Sequence, residues 1–78
     1  MDPYVAESAR KHGVADADIV HAYANAVAAF ELDDDDLDVM LIGADTAGLL
    51  LEVGVVESDD GDIVVHAMTA RDKYLRRM

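Results

Sequence analysis

The chain has no cysteine, which removes disulfides, a thiolate nucleophile and any thiolate metal site. It also has no lysine or arginine from Gly13 to Ala70, where 14 acids stand unopposed. Only two serines are present, and no Gly-x-Gly-x-x-Gly, P-loop or Gly-x-Ser-x-Gly elbow occurs. Nucleotide-cofactor and serine-hydrolase readings therefore drop out. Apolar runs in the C-terminal half stop at four residues, and the Ala-rich stretch from Ala22 to Phe30 is too short to cross a bilayer. The opening Met-Asp-Pro-Tyr-Val lacks the basic region and apolar run of a signal peptide. These absences predict a cytoplasmic protein with no membrane contact and no cofactor.

What is present is acid. Seventeen Asp and Glu, 13 of them Asp, face six bases for a net charge of −11. The bases fall in two short stretches, Arg10-Lys11 and Arg71 to Arg77. If folding brings those stretches together, one cationic patch sits on an anionic body, and work on a phosphate must happen there. Away from the patch the charge repels a polyanion, so general nucleic-acid binding is disfavoured. A high-salt habitat or a GC-rich genome would give the same Asp bias with no functional meaning. At 78 residues the chain is one domain, residues 1–78. A chain of that size buries only about 60–65% of its unfolded surface, which makes a homodimer or a partner subunit a fair expectation.

The period of the apolar residues changes once. In the front, Val20, Tyr23, Val27 and Phe30 form a stripe flanked by Ile19 and Ala26, which predicts an amphipathic helix from Asp16 to Ala29. Asp16 is placed to cap it, and Asp18 lies at the positive end of its dipole. Pro3 to His12 reads as a shorter helix ended by Gly13. The pair lacks a basic recognition helix, which sets DNA reading aside. After the acidic run Asp33 to Asp36 come three strand candidates, Val39 to Ile42, Leu49 to Glu57 and Asp62 to Met68, then a basic helical segment, Asp72 to Met78. The expected fold is α+β: N-terminal helices packed on one face of a three-stranded antiparallel sheet, with a short C-terminal helix.

Register of the last hairpin decides which side chains meet. A three-residue loop, Asp59-Asp60-Gly61, sets Ser58 opposite Asp62. Leu49, Leu51, Val53, Val55, Ile63, Val65 and Ala67 then share a wholly apolar face. The other face carries Leu50, Glu52, Gly54, Val56, Val64, His66 and Met68, with Glu52 diagonal to His66 across the gap at Gly54. A four-residue loop would press Glu52 against the packed side, at a cost of several kcal/mol for an unpaired carboxylate.

Cleaving RNA through its own 2′-OH needs a base for that proton, an acid for the leaving oxygen and cations for the phosphorane charge. Lys11, Glu52, His66 and Arg71 supply those types: His66 or Glu52 for protons, Lys11 and Arg71 for charge. The bland alternative has His66 as a half-buried strand histidine bonded to Glu52, with Arg71 and Arg76 paired to surface carboxylates. No His-x-x-x-His, Glu-x-x-His or Asp-x-Asp-x-Asp-Gly pattern occurs, and adjacent side chains in Asp33 to Asp36 point apart, so no metal is expected. His21 falls on the polar face of the main helix.

Ala9-Arg10-Lys11-His12-Gly13-Val14, followed by Asp16-Ala17-Asp18-Ile19, resembles the opening of BrnT-type toxins and of related small proteins in the RelE/ParE toxin superfamily. The second half is also similar: Leu41-Ile42-Gly43, the strand Leu49 to Val53, then Ile63 to Met68 with Arg71 and Tyr74 beyond. The resemblance implies a compact toxin fold of the RelE type in reduced form. It also implies an endoribonuclease that halts translation, acting on mRNA free or on the ribosome, and a cognate antitoxin protein as partner. Within it Lys11 and His12 match the Lys-His pair, Arg71 the arginine after the last strand, and Tyr74 the C-terminal aromatic. The chain departs from the pattern at Ala15, where a capping serine is usual, at His66-Ala67-Met68, where a Ser-Ala-Arg type run is usual, and in its acidity. The first β-strand of such chains is absent or reduced to Asp2 to Val5.

Two expectations result. One is the toxin of a type II toxin–antitoxin pair, with Arg10, His12, Arg76 and Arg77 holding RNA and Tyr74 stacking on a base. The other is a non-catalytic protein-interaction module, a decayed toxin or homodimer, that binds through an open apolar face with Val56 and Met68 or through a sheet edge. Convergence of the two basic ends around His66 separates them.

Overall fold

The structure, a computed structural model, describes residues 2–78. In chain order it has β1 (Tyr4–Val5), a 3-10 turn (Glu7–Arg10), α1 (Asp16–Ala24), β2 (Ala26–Glu31), β3 (Val39–Ala44), β4 (Leu50–Ser58), β5 (Gly61–Thr69) and α2 (Asp72–Leu75). The strands make one sheet in the order β1-β5-β4-β3-β2, with β1 parallel to β5 and every other pair antiparallel. The expected three-stranded antiparallel sheet under N-terminal helices is thus corrected: two further strands flank the central three and make the sheet mixed. Among the described residues only α1 is a helix of more than about one turn.

Both added strands came from segments that the apolar period read as helix, although the resemblance allowed a first strand reduced to Asp2 to Val5, where β1 stands. Pro3 to His12 divides into β1 and the 3-10 turn. Tyr4 and Val5, both good strand formers, pair with Ile63 and Val64 on the free side of β5, and Ala6 adds a hydrogen bond from its N–H to the Val64 carbonyl at 2.9 Å. The helix expected to reach Ala29 ends at Ala24. Asn25 closes it, its backbone N–H and its side-chain Nδ2 both donating to the His21 carbonyl at 3.0 and 2.9 Å. Ala26 to Glu31 then hydrogen-bonds along β3, with a bulge at Val27. Alanine favours helix by only fractions of a kcal/mol per residue, about 0.7 at most, less than a row of sheet hydrogen bonds and the packing of Phe30 together supply.

The start of α1 also differs from expectation. Ala15 is its N-cap with no capping side chain, while Asp16 faces back to take two hydrogen bonds from Arg10 at 2.9 and 2.8 Å. Asp18 accepts from the Thr46 hydroxyl and N–H at 2.5 and 3.1 Å, which ties the first turn of α1 to the β3–β4 loop.

The sheet is covered on both faces. On one side Ala9 of the 3-10 turn and Ile19 and Ala22 of α1 pack on Leu51, Val53, Val55, Val64 and Ala67, all 0–2% exposed. A fully buried side chain such as Ile19 contributes about 1.5–3 kcal/mol there. Gly43 permits this approach, since a Cβ at that position would lie 2.0 Å from the Ala22 carbonyl oxygen. On the other side Tyr74 of α2 packs with Met40 and Ile42, fringed by Phe30, Leu32, Leu37, Leu50 and Leu75. The face expected to lie open is therefore roofed by α2 and Leu37. The helical part of the basic segment is also shorter than expected, ending at Leu75.

Hairpin β4–β5 resolves its register differently from the expectation. Ser58 pairs with Gly61, leaving a two-residue loop, Asp59-Asp60, with Gly61 at φ 118°. The extra residue is taken up at Val65, where the register shifts between Val55↔Val64 and Gly54↔His66. Beyond this bulge the pairs Gly54↔His66, Val53↔Ala67 and Glu52↔Met68 are those a three-residue loop would have given. Before it the faces exchange: Val64 is fully buried in the α1-side core and Val65 is left half-buried. Leu49, expected in the core, is 51% exposed ahead of β4. No helix among the described residues is long and apolar enough to cross a membrane.

Candidate active site

Glu52 is the centre of the site because strand alternation aims it at the α2 side of the sheet, level with Ile42 on one neighbour and Met68 on the other. Its side chain is 0% exposed. A carboxylate in that position survives only if its lone pairs are filled, and four donors fill them. Arg71 gives three, from its backbone N–H and Nε to Oε1, both at 2.9 Å, and from Nη2 to Oε2 at 2.7 Å. His66 gives the fourth, from Nε2 to Oε2 at 2.8 Å. Burial pushes the Glu52 carboxyl up, but the Arg71 and His66 hydrogen bonds together with the Arg71 charge outweigh it and hold the group below the usual carboxylate range. Glu52 is thus ionised and saturated.

Arg71 is placed by the end of β5 and the start of α2, for which it is the N-cap residue. Its backbone N–H and guanidinium both reach Glu52, so α2 is fastened to the middle of the sheet. The partnership raises the already high pKa of Arg71. Its side chain is still 45% exposed.

His66 stands across from Gly54, where the missing side chain leaves room: a Cβ on Gly54 would lie 2.9 Å from Leu37 Cδ2 and 3.0 Å from His66 Cβ. Because an ionised carboxylate only accepts, His66 donates from Nε2, and in its neutral form the lone pair is on Nδ1. His12 meets this ring edge to face, with centroids 5.6 Å apart and planes at 78°. The N-terminal stretch thus reaches the site through His12.

A line of cations and aromatic rings continues from it. Arg71 and Lys73 lie 5.7 and 5.0 Å from the Tyr74 ring centroid, Tyr74 stacks on Phe30 at 6.4 Å, and Arg77 lies 4.4 Å over Phe30. Tyr74, expected to receive a base, is only 8% exposed, and its ring is occupied by these neighbours. Phe30, expected on the helix stripe, faces Tyr74 instead, on the same side of β2 as Ala28.

Of the predicted residues, Glu52, His66, Arg71 and His12 are brought together, with Tyr74 and Arg77 beside them. Arg10 is engaged with Asp16. Lys11 and Arg76 are exposed and, among the described residues, their side chains make no hydrogen bond or ion pair. The ring contact of His12 with His66 is not legible in the sequence, which groups His12 with the RNA-binding residues. His21 binds the Ala44 carbonyl through Nδ1 at 2.7 Å. Among the described residues no three His, Asp or Glu side chains are grouped to hold a metal ion.

A groove of about 680 Å³ lies at the turn end of the β4–β5 hairpin, lined by Asp2, Tyr4, Tyr23, Asp60, Asp62 and Ile63 among others. Its carboxylates repel an anion such as phosphate. The hydrogen bond from the Tyr23 hydroxyl to Asp62, at 2.5 Å, together with burial and the Asp62 charge, pushes the Tyr23 phenol up to about 12.

No protein-family model matches the chain, and no similar protein is found among curated proteins or solved structures.

Proposed function

We propose that the protein is an RNA-cleaving inhibitor of translation, the toxin of a type II toxin–antitoxin pair. The single observation that supports this most is the junction of His12, from the front of the chain, with the Glu52–His66–Arg71 cluster from its back. In a molecule of net charge −11, that junction and the cations Lys73 and Arg77 on the adjoining Tyr74 and Phe30 rings are where a phosphodiester would meet cations and imidazoles, with Arg76 on the same basic segment. The Glu52 charge is neutralised by Arg71. Messenger RNA, free or on the ribosome, is the substrate in this reading, a cognate antitoxin the natural partner, and the cytoplasm the compartment.

Controlled expression in a bacterial host tests it. Wild-type protein should arrest growth and shorten mRNA, and Arg71→Ala should relieve the arrest. Since Arg71→Ala also strands a buried carboxylate, the double variant Arg76→Ala/Arg77→Ala is the second arm: it keeps the Glu52 pairing and should weaken RNA cleavage by loss of phosphate contacts. Soluble, folded wild-type protein that neither slows growth nor cuts RNA with or without ribosomes would defeat the proposal.

A second reading, a non-catalytic interaction module, is favoured by one observation. The open apolar face on which it was expected does not exist, and Val56 and Met68 are half-buried. What remains is the outer edge of β2, the last strand of the sheet, where Val27 is 67% exposed. A homodimer or a partner strand would add there, and Val27→Lys would disperse it.

A further inference from the structure

Resting on the ribonuclease reading, we propose that cleavage is run by two imidazoles, with His66 as the base that takes the 2′-OH proton and His12 as the acid that protonates the leaving oxygen. Glu52 is unsuited to the base role it was expected to share: it is wholly buried and its oxygens already accept four hydrogen bonds. Its work is on His66. By accepting from Nε2 it fixes the neutral ring with the lone pair on Nδ1, and it stabilises the imidazolium formed when Nδ1 gains a proton. Glu52 is thus a positioning residue. Arg71 keeps that carboxylate ionised, and its Nη1 makes no hydrogen bond among the described residues, which leaves it for the phosphorane charge.

His12 has the complementary setting. It is exposed, and no carboxylate hydrogen-bonds to it among the described residues. Its ring meets the His66 ring edge to face at 5.6 Å, so both imidazoles lie within reach of a single phosphodiester.

The step balances without water or a redox partner. The 2′-O–P bond forms as the 2′-OH proton passes to His66 Nδ1, and the P–O5′ bond breaks as His12 gives its proton to O5′. The products are a 2′,3′-cyclic phosphate and a 5′-hydroxyl, with the two rings left in exchanged protonation states that solvent resets. The substrate class is single-stranded RNA with a 2′-OH at the cut, and a 2′-deoxy nucleotide there blocks the reaction.

The test uses the full chain with a synthetic RNA, alone and with ribosomes, and a second RNA in which the leaving O5′ is replaced by sulfur, a leaving group that needs no proton. His12→Ala, a substitution at an exposed loop position, should lose about 10²- to 10⁴-fold on ordinary RNA and recover most of that on the sulfur RNA. His66→Ala, its fold checked by circular dichroism, should lose as much on both. Wild-type ends should be cyclic phosphate and 5′-hydroxyl. His12→Ala cutting ordinary RNA at the wild-type rate, or sulfur failing to rescue it, overturns the assignment of His12 while leaving the ribonuclease reading in place. Wild-type protein that cuts neither RNA overturns both.

Discussion

Replacing Glu52 by glutamine keeps the volume and shape of the side chain but removes its charge and turns one acceptor into an NH₂ donor. Three donor atoms of Arg71 and one of His66 converge on this carboxylate, so the amide nitrogen must face at least one of them. Breaking a buried ion pair from one side costs about 3–5 kcal/mol. The low end applies, about 3 kcal/mol, because the Arg71 side chain is 45% exposed and recovers water when released. For 78 residues the whole folding free energy is on the order of 4–12 kcal/mol, so the variant stands near the edge of unfolding. With a urea slope of about 1 kcal/mol per molar, the midpoint followed by circular dichroism should fall by about 3 M. Replacing both partners, Glu52→Leu with Arg71→Met, removes the stranded charge and should return at least half of the loss. The dependence on pH gives a second reading of the same pair. Glu52 titrates lower when folded than when unfolded, so its contribution is complete above the ordinary carboxylate value of about 4.3 and fades as pH falls through the folded value. Wild-type and Glu52→Gln stabilities should therefore converge in acid. A midpoint loss worth less than about 1 kcal/mol near neutrality, no more than one neutral hydrogen bond, would refute the claim that this carboxylate anchors α2.

Tyr23 should ionise late: a spectrophotometric titration should show one phenol persisting to about pH 12, and Asp62→Asn should shorten the delay, leaving the part that burial causes. Because the folded value lies above the unfolded one near 10, this group stabilises the fold fully below about pH 10 and loses its contribution as pH rises through about 12. Gly43→Ala drives a methyl group into the Ala22 carbonyl at 2.0 Å and should cost about 3 kcal/mol or more, measured by urea unfolding. Gly54→Ala meets the movable end of Leu37 first, at 2.9 Å, and should cost less, about 1 kcal/mol, while displacing His66.

Legibility in the sequence followed how local the cause was. The start of α1 at Asp16 and the three strands β3, β4 and β5 could be read to within a residue or two because each carries its own apolar period and turn residues. β1 and β2 could not, since neither forms for local reasons: Tyr4-Val5 and Ala26 to Glu31 become strands only because β5 and β3 offer unpaired edges. The grouping of Glu52 with His66 was visible through alternation about Gly54, although the compensation between a shorter loop and the bulge at Val65 was not. The saturation of Glu52 by Arg71 depends on the chain turning back after Thr69, and the meeting of His12 with His66 on where the 3-10 turn lands. No spacing rule reports either.

The pairing of β1 with β5 joins Tyr4 to Ile63, partners separated by about three quarters of the chain. Closing a loop of that length costs more entropy than pairing the sequence-adjacent strands of the β3–β4–β5 meander, an order that favours docking of the front of the chain last. During synthesis, which runs from the front, His12 has to wait for His66 to be made. A copy whose front has not docked lacks the contact between the two rings.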